Sequence, residues 1–249
     1  MGGQEMNAVS LFAGVGGFDL ALQRNGIEVV ASVEIDANAR GVLRRQFPHT
    51  KQFNDICNVT GEDLINAGFK PSEGIIVGGF PCQDLSVAGK RAGLEGKRSG
   101  LFWEIVRLLD ETKAQFFILE NVPGLLSSNE GRDMATVIEA LVERGYGIAY
   151  RVLDAQHFGV PQRRRRVFIV GSLGDNGSTP AKILALGEGR AGYLESSKSK
   201  RENAAREIEQ RAQGYRESSF GQFAATLESG TLKAKSGVCG GGSETLLIP

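Results

Sequence analysis

Histidine is scarce in this chain: only His49 and His157 are present. A histidine-rich metal cluster is therefore excluded, no metal site is expected, and a Ser-His-Asp triad has nothing in its favour. Cysteine is scarce too. Cys57, Cys82 and Cys239 are odd in number and far apart, so they form neither a disulfide framework nor a zinc site. A reducing, cytoplasmic compartment fits. Net charge is absent, with Lys+Arg and Asp+Glu at 29 each. A nucleic-acid partner would have to meet local positive charge. No apolar run approaches membrane-spanning length, the N-terminus lacks a signal-peptide pattern, and no internal repeat is present. What remains is 249 residues, 41% hydrophobic and 23% charged, normal for a soluble globule. That is enough for one α/β domain plus a smaller region.

The stretch Gly78-Gly79-Phe80-Pro81-Cys82-Gln83 organises what is there. It follows the apolar run Ile75-Ile76-Val77, which reads as a buried parallel strand. Two glycines and a proline then break the strand and set a cysteine at its carboxyl end, where open α/β sheets bind ligands. Most cysteines are inert core residues, but this loop context makes Cys82 a candidate nucleophile. Upstream, Ala8 to Ala13 reads as a first strand, Gly14-Val15-Gly16-Gly17 as a tight turn, and Phe18 to Gln23 as the start of a helix. Such a unit lets backbone approach a ligand closely. Asp19 stands where the dinucleotide fingerprint has its third glycine, which argues against a bound pyrophosphate and against an NAD-dependent dehydrogenase. A second strand, Glu28 to Val33, ends in Glu34-Ile35-Asp36. Glu34 lies 20 residues after Gly14, the place of an acid that holds a ribose hydroxyl pair. Asp36 reads as the N-cap of a helix over Ala37 to Gln46. Asp55, near the end of a third short strand, could bond an adenine amino group or simply make a turn.

Lys90, Arg91, Lys97 and Arg98 decorate a glycine-rich stretch that either clamps a phosphate backbone or is a solvated loop. Ser99 to Glu111 is an amphipathic helix by its apolar spacing. The buried strand Gln115 to Leu119 ends in Glu120-Asn121-Val122. A carboxylate there is costly unless it is paired or functional. Met134 to Val142 marks another helix, closed by Gly145, and Ala149 to Leu153 another strand. Phe158 to Pro161 is a turn. Gln162-Arg163-Arg164-Arg165-Arg166 then runs into the strand Val167 to Val170, and alternation separates Arg164 and Arg166 from Arg163 and Arg165. Ser172 to Pro180 reads as a polar linker. Tyr193 to Tyr215 reads as an exposed helix or poorly ordered chain. Phe220 to Pro249 is glycine-rich with short apolar pieces such as Thr245 to Ile248.

Alternating apolar strands and amphipathic helices over 1–171 predict an α/β fold with a mostly parallel sheet. One edge gathers a glycine loop, an acid, a cysteine, a glutamate and an arginine. That set meets the needs of methylation at cytosine carbon 5. A thiolate adding to carbon 6 makes carbon 5 nucleophilic. An acid near ring nitrogen 3 takes up the charge. A guanidinium holds the carbonyl oxygen. Cys82, Glu120 and Arg166 supply these groups, and the base must leave the duplex to reach them.

The chain resembles the cytosine-5 DNA methyltransferases of bacterial and phage type. The stretches Leu11 to Phe18, Val33 to Asp36, Gly78 to Gln83, Glu120-Asn121-Val122 and Pro161 to Arg166 carry the resemblance, in the family's order over residues 10 to 170. It implies a Rossmann-like catalytic domain over 1–171 and a partial target-recognition region over 172–249. It implies S-adenosylmethionine as methyl donor, contacted by Phe18, Glu34, Asp55, Ile56 and Leu101, with Phe12, Ala13, Gly14, Gly16, Gly17, Ile35 and Pro81 around it. Cys82 is then the nucleophile, Glu120 and Arg166 act on the base, and Arg164 supports the catalytic loop or the DNA backbone. Double-stranded DNA is the implied partner, in a restriction-modification setting in the cytoplasm of a bacterial or phage-infected cell. The family's Arg-Leu-Thr-Pro-like and Gly-Asn-Ser-Val-like closing motifs are absent, so a truncated, split or decayed member is expected, dependent on a second chain that supplies them. Competing readings are a tRNA methyltransferase, disfavoured by the missing Cys-Phe-Thr signature, and a catalytically silent subunit that binds DNA and S-adenosylmethionine.

Overall fold

The computed structural model describes residues 6–81 and 100–185, and the backbone of Gln213–Glu217, Phe223–Thr226 and Thr245–Ile248. Cys82, the basic glycine-rich stretch after it and most of 186–249 lie outside the described residues. The chain divides into two compact units, Met1–Arg151 with Val167–Ala185, and Val152–Arg166 with Leu186–Pro249.

The larger sheet has seven strands, β1 (Asn7–Leu11), β2 (Glu28–Val33), β3 (Lys51–Phe53), β4 (Ile75–Gly79), β5 (Phe116–Asn121), β6 (Tyr146–Asp154) and β7 (Arg165–Leu173), all in the first unit but for the end of β6 and the start of β7. Their order is β3-β2-β1-β4-β5-β7-β6. β1 pairs parallel with β2 and β4, β2 with β3, and β4 with β5. β7 runs antiparallel to β5. The order reverses between β1 and β4, and such a switch point opens a crevice beyond the carboxyl ends of the strands. Every residue of β1 is buried, as a strand covered on both faces must be.

Six α-helices lie among the described residues: α1 (Gly17–Arg24), α2 (Ala37–Gln46), α3 (Gly61–Asn66), α4 (Leu101–Thr112), α5 (Arg132–Val142) and α6 (Ser178–Leu184). α4 buries Phe102, Ile105, Val106, Leu108 and Leu109, the apolar face its sequence spacing predicts. α5 buries Met134, Val137, Ala140 and Leu141 in the same way. Under α1, Leu22 joins Ala8, Val29, Ile75 and Val77 in one cluster, with Phe18 packed against it. None of the described helices is long and apolar enough to cross a membrane.

Several boundaries differ from the sequence reading. β4 does not stop at Val77: Gly78 pairs with Leu11 and Leu119, and Gly79 with Glu120, so both glycines are strand residues. β5 likewise continues through Glu120 and Asn121, opposite Phe168 and Val167 of β7. The expected linker over 172–180 is not a linker. Ser172 is zipped to Phe116, and Ser178 opens α6, in which Pro180 is buried. In the second unit, Tyr215 belongs to a strand, β8 (Gln213–Glu217), rather than a helix. It pairs antiparallel with β9 (Phe223–Thr226) and β10 (Thr245–Ile248), so that β8 is the middle strand. The β8–β10 pairing joins segments distant in sequence, which local composition does not reveal.

Asp36 caps α2 as its residue type suggests, accepting the Ala39 N–H at 2.7 Å. Asp36→Ala should lower unfolding free energy by about 1 kcal/mol in urea denaturation. An unchanged midpoint would remove the cap from the fold's stability.

Candidate active site

The turn after β1 is strained and tightly placed. Phe12 adopts φ 53°, a left-handed conformation rare outside glycine, at a cost of about 1–3 kcal/mol. Gly16 has φ 93°, and a Cβ there would run into the Phe47 ring. The turn is tied to β2 by the Ala13 N–H, which donates to the Val33 carbonyl at 3.1 Å.

Glu34 receives that turn. Its Oε2 accepts the Gly14 N–H at 2.7 Å and its Oε1 accepts the Asp36 N–H at 2.7 Å. Arg40 fixes the carbonyls of Glu34 and Ile35 with bonds of 2.8 and 2.6 Å. Each carboxylate oxygen keeps a lone pair for a further donor such as a ribose hydroxyl. Val15 and Ile35 are 66% and 74% exposed beside it, apolar surface that a heterocycle or a methionine chain could cover. A glycine turn, a held carboxylate and exposed apolar side chains suit a ligand with hydroxyl donors and an apolar portion.

At the next strand end, the Glu34 N–H donates to the Phe53 carbonyl of β3 at 3.1 Å. Asp55 follows as the cap of a single 3-10 turn, Ile56–Asn58, and accepts the Cys57 N–H at 3.0 Å. Ile56 turns its side chain into the core, at 3% exposure, and gives its carbonyl to Arg107 of α4. Desolvation first, then the hydrogen bond and charge of Asp55, push the Cys57 thiol above its ordinary pKa. It is thereby a poorer thiolate and a poor nucleophile.

The ends of β4 and β5 form the other half of the site. Gly79 and Glu120 are register partners, and a Cβ on Gly79 would stand 2.9 Å from Glu120 Oε2. One carboxylate oxygen therefore lies close over the Gly79 backbone, where a side chain would press on it. Asn121 is 3% exposed; its Nδ2 donates to the Phe80 carbonyl at 3.0 Å, and its Oδ1 accepts the Val122 N–H at 2.8 Å. Phe80 packs on Phe102 with ring centroids 5.3 Å apart. The exit from β4 is thus pinned at Phe80, with Pro81 exposed just before Cys82. Sequence reasoning gave Asn121 no role of its own; an amide directly after Glu120 at the end of an apolar run was the available signal. Leu101, half-buried, opens α4 nearby in the chain.

In the second unit, Asp154 organises the arginine segment. Its Oδ1 accepts the Arg164 N–H at 3.1 Å, and the Ala155 N–H donates back to the Arg164 carbonyl at 2.9 Å. Arg164 and Arg166 are half-buried while Arg163 and Arg165 are exposed, the alternation expected from sequence.

A sheet with this order, a glycine turn after β1, an acid after β2 and a carboxylate closing β5 together define a Rossmann-like protein of the S-adenosylmethionine-dependent methyltransferase class. In keeping with this, the fold matches the crystal structure of a DNA modification methyltransferase encoded within an E. coli prophage. The TM-score is 0.56 at 28% identity, over 68% of this chain and 47% of that one. The chain belongs to the C-5 cytosine-specific DNA methylase family, whose pattern matches residues 6–224. It is 40% identical over 172 residues to the type II methyltransferase M2.BsuMI of Bacillus subtilis, covering 68% of this chain and 42% of the relative. It is 41% identical over 169 residues to M.Bsp6I of a Bacillus species, covering 67% and 52%. The chain thus spans about half the length of these relatives.

Replacing Asn121 by Ala should leave the Phe80 carbonyl buried and unpaired, at a cost of about 1–3 kcal/mol. Hydrogen exchange at the β4 terminus should accelerate more than exchange in β1. Equal acceleration in both strands would deny Asn121 a local role.

Proposed function

We propose that this site transfers a methyl group from S-adenosylmethionine to carbon 5 of cytosine in double-stranded DNA. The observation that carries the reading is the Glu120 carboxylate lying across Gly79, beside the pinned loop that leads to Cys82. Family membership supports it.

The cofactor's ribose would sit on Glu34, with Asp55 at the adenine end and Phe12, Ala13, Gly14, Gly16, Gly17, Phe18, Ile35, Pro81 and Leu101 around it; Ile56, its side chain in the core, would serve only as backbone beside Asp55. When bound, S-adenosylmethionine supplies an electrophilic methyl group. The Cys82 thiolate forms a bond to carbon 6 of a flipped-out cytosine, and the ring's double-bond electrons move toward carbon 5. Glu120 donates a proton or hydrogen bond at ring nitrogen 3 as charge builds there. Arg166 holds the carbonyl oxygen, and Arg164 supports the loop or a phosphate. After methylation, carbon 5 loses its proton to a base, the double bond re-forms, and the sulfur leaves as thiolate. A catalytic thiolate must stay reduced, which suits the cytosol. The first unit would carry most of this chemistry, and the residues after 185 part of the DNA-reading region.

Tritium transfer to duplex DNA, with tRNA as comparison, tests the reading. DNA carrying 5-fluorocytosine lacks the proton that must leave, so wild type should form a denaturant-resistant complex and Cys82→Ala should not. An adduct at Cys57 or Cys239, or methylation of tRNA alone, would refute it. Glu120→Gln should keep cofactor binding and lose turnover by ~100- to 10,000-fold. Gly79→Ala, whose methyl would press on one oxygen of the same carboxylate, should lower turnover less than Glu120→Gln does. Near-normal turnover of Glu120→Gln would take Glu120 out of the mechanism.

A further inference from the structure

Asp19 is wholly buried, at 0% exposure, in the first turn of α1. In sequence it marks only a missing glycine. In the fold it bridges two strands. Its Oδ2 accepts the Ser10 hydroxyl of β1 at 2.8 Å, and its Oδ1 accepts the Ser32 hydroxyl of β2 at 2.6 Å. Ser10 and Ser32 are register partners and are themselves buried, at 0% and 1% exposure. Among the described residues, Asp19 has no ion-pair partner.

Stability alone does not account for this arrangement. A carboxylate taken out of water without a cation is costly, and apolar side chains of similar volume often serve a core as well or better. What the carboxylate supplies is fixed geometry. Each serine hydroxyl has one proton to give, and both are given to the same group. The lateral spacing and relative slide of β1 and β2 are thereby set at that point. The need for such a pin is visible in the ladder, because the β1–β2 register shifts between Ala8 and Val9, just upstream of Ser10. A slipped register would displace everything the two strands deliver.

What they deliver is the cofactor end of the site. Ser10 stands two residues before Phe12, and Ser32 two before Glu34. Past the clamp, the strands are joined again by Ala13 N–H to the Val33 carbonyl at 3.1 Å and Gly14 N–H to Glu34 Oε2 at 2.7 Å. Asp19 also belongs to the helix turn into which the Gly14–Gly17 loop feeds. One side chain therefore touches all three walls: β1, β2 and α1.

We infer that Asp19 is a positioning residue for S-adenosylmethionine, holding the Gly14 turn and Glu34 at the separation the ribose requires through Ser10 and Ser32. The inference rests on the cofactor reading given above. It separates affinity from stability, which a merely structural role would not do.

The experiment is isothermal titration of the purified chain with S-adenosylmethionine, alongside thermal unfolding. The variants are Ser10→Ala, Ser32→Ala, Asp19→Asn and the apolar triple Ser10→Ala/Asp19→Leu/Ser32→Ala. Val137→Ala, in the buried face of α5, serves as a destabilised control outside the site. The serine variants should lose at least about tenfold in affinity, as misplaced binding groups do. Their Tm should fall no further than that of Val137→Ala, whose affinity should match wild type. The triple should hold or raise Tm and still bind weakly. If the triple does not fold, the two serine variants decide. Affinity that tracks Tm across the whole set, or wild-type affinity in both serine variants, overturns the inference and leaves the cofactor reading standing. A wild-type chain that takes up no S-adenosylmethionine overturns both.

Discussion

Parallel pairing of β1 with β2 on one side and β4 on the other is the constraint on which the rest depends. Parallel strands share direction, so their carboxyl ends must emerge at one edge. The turn at Phe12 to Gly17, the acid Glu34, the exit at Phe80 and the carboxylate of Glu120 arrive there together, although they are spread from residue 12 to residue 120. The same pairing forces burial. A strand flanked on both sides and covered on both faces has no room for solvated side chains, which is why β1 is buried throughout. Helices α1, α4 and α5 follow as the apolar cover.

Costs are concentrated at that edge. Phe12 sits at a positive φ, Asp19 is a buried carboxylate, and Asn121 is a buried amide. Each is unfavourable alone, and each is offset by a specific partner: the Val33 carbonyl for the turn, two hydroxyls for Asp19, and the Phe80 carbonyl and Val122 N–H for Asn121. A large apolar core, with Phe102, Phe117, Ile105 and Leu109 at or near zero exposure, supplies the stability that lets such positions exist.

Much of the first unit was legible in the chain because the signals were local. Short apolar runs bounded by glycine or acid marked the strands, and the spacing of Phe102, Ile105, Val106 and Leu109 marked α4. Asp36 could be assigned as a cap because a cap needs only the next three residues. Where pairing with a distant strand prolonged an element, local signals fell short. Gly78 and Gly79 look like strand breakers until Leu11, Leu119 and Glu120 are placed beside them. Ser172 looks like linker until Phe116 is opposite it.

By itself the sequence determined the fold class, the strand-end positions of Glu34 and Glu120, and the family, since residue type and order along the chain suffice for these. Only the tertiary structure decided what those side chains touch. Glu34 grips the backbone of Gly14 and Asp36, Glu120 lies over Gly79, and Asn121 holds the Phe80 carbonyl. Asp19 turned from a missing glycine into a bridge between Ser10 and Ser32. The physical reason is one of range. Helix and strand periodicity act over a few residues, whereas hydrogen bonds across a sheet join groups tens of residues apart, and their partners exist only once the strands are side by side.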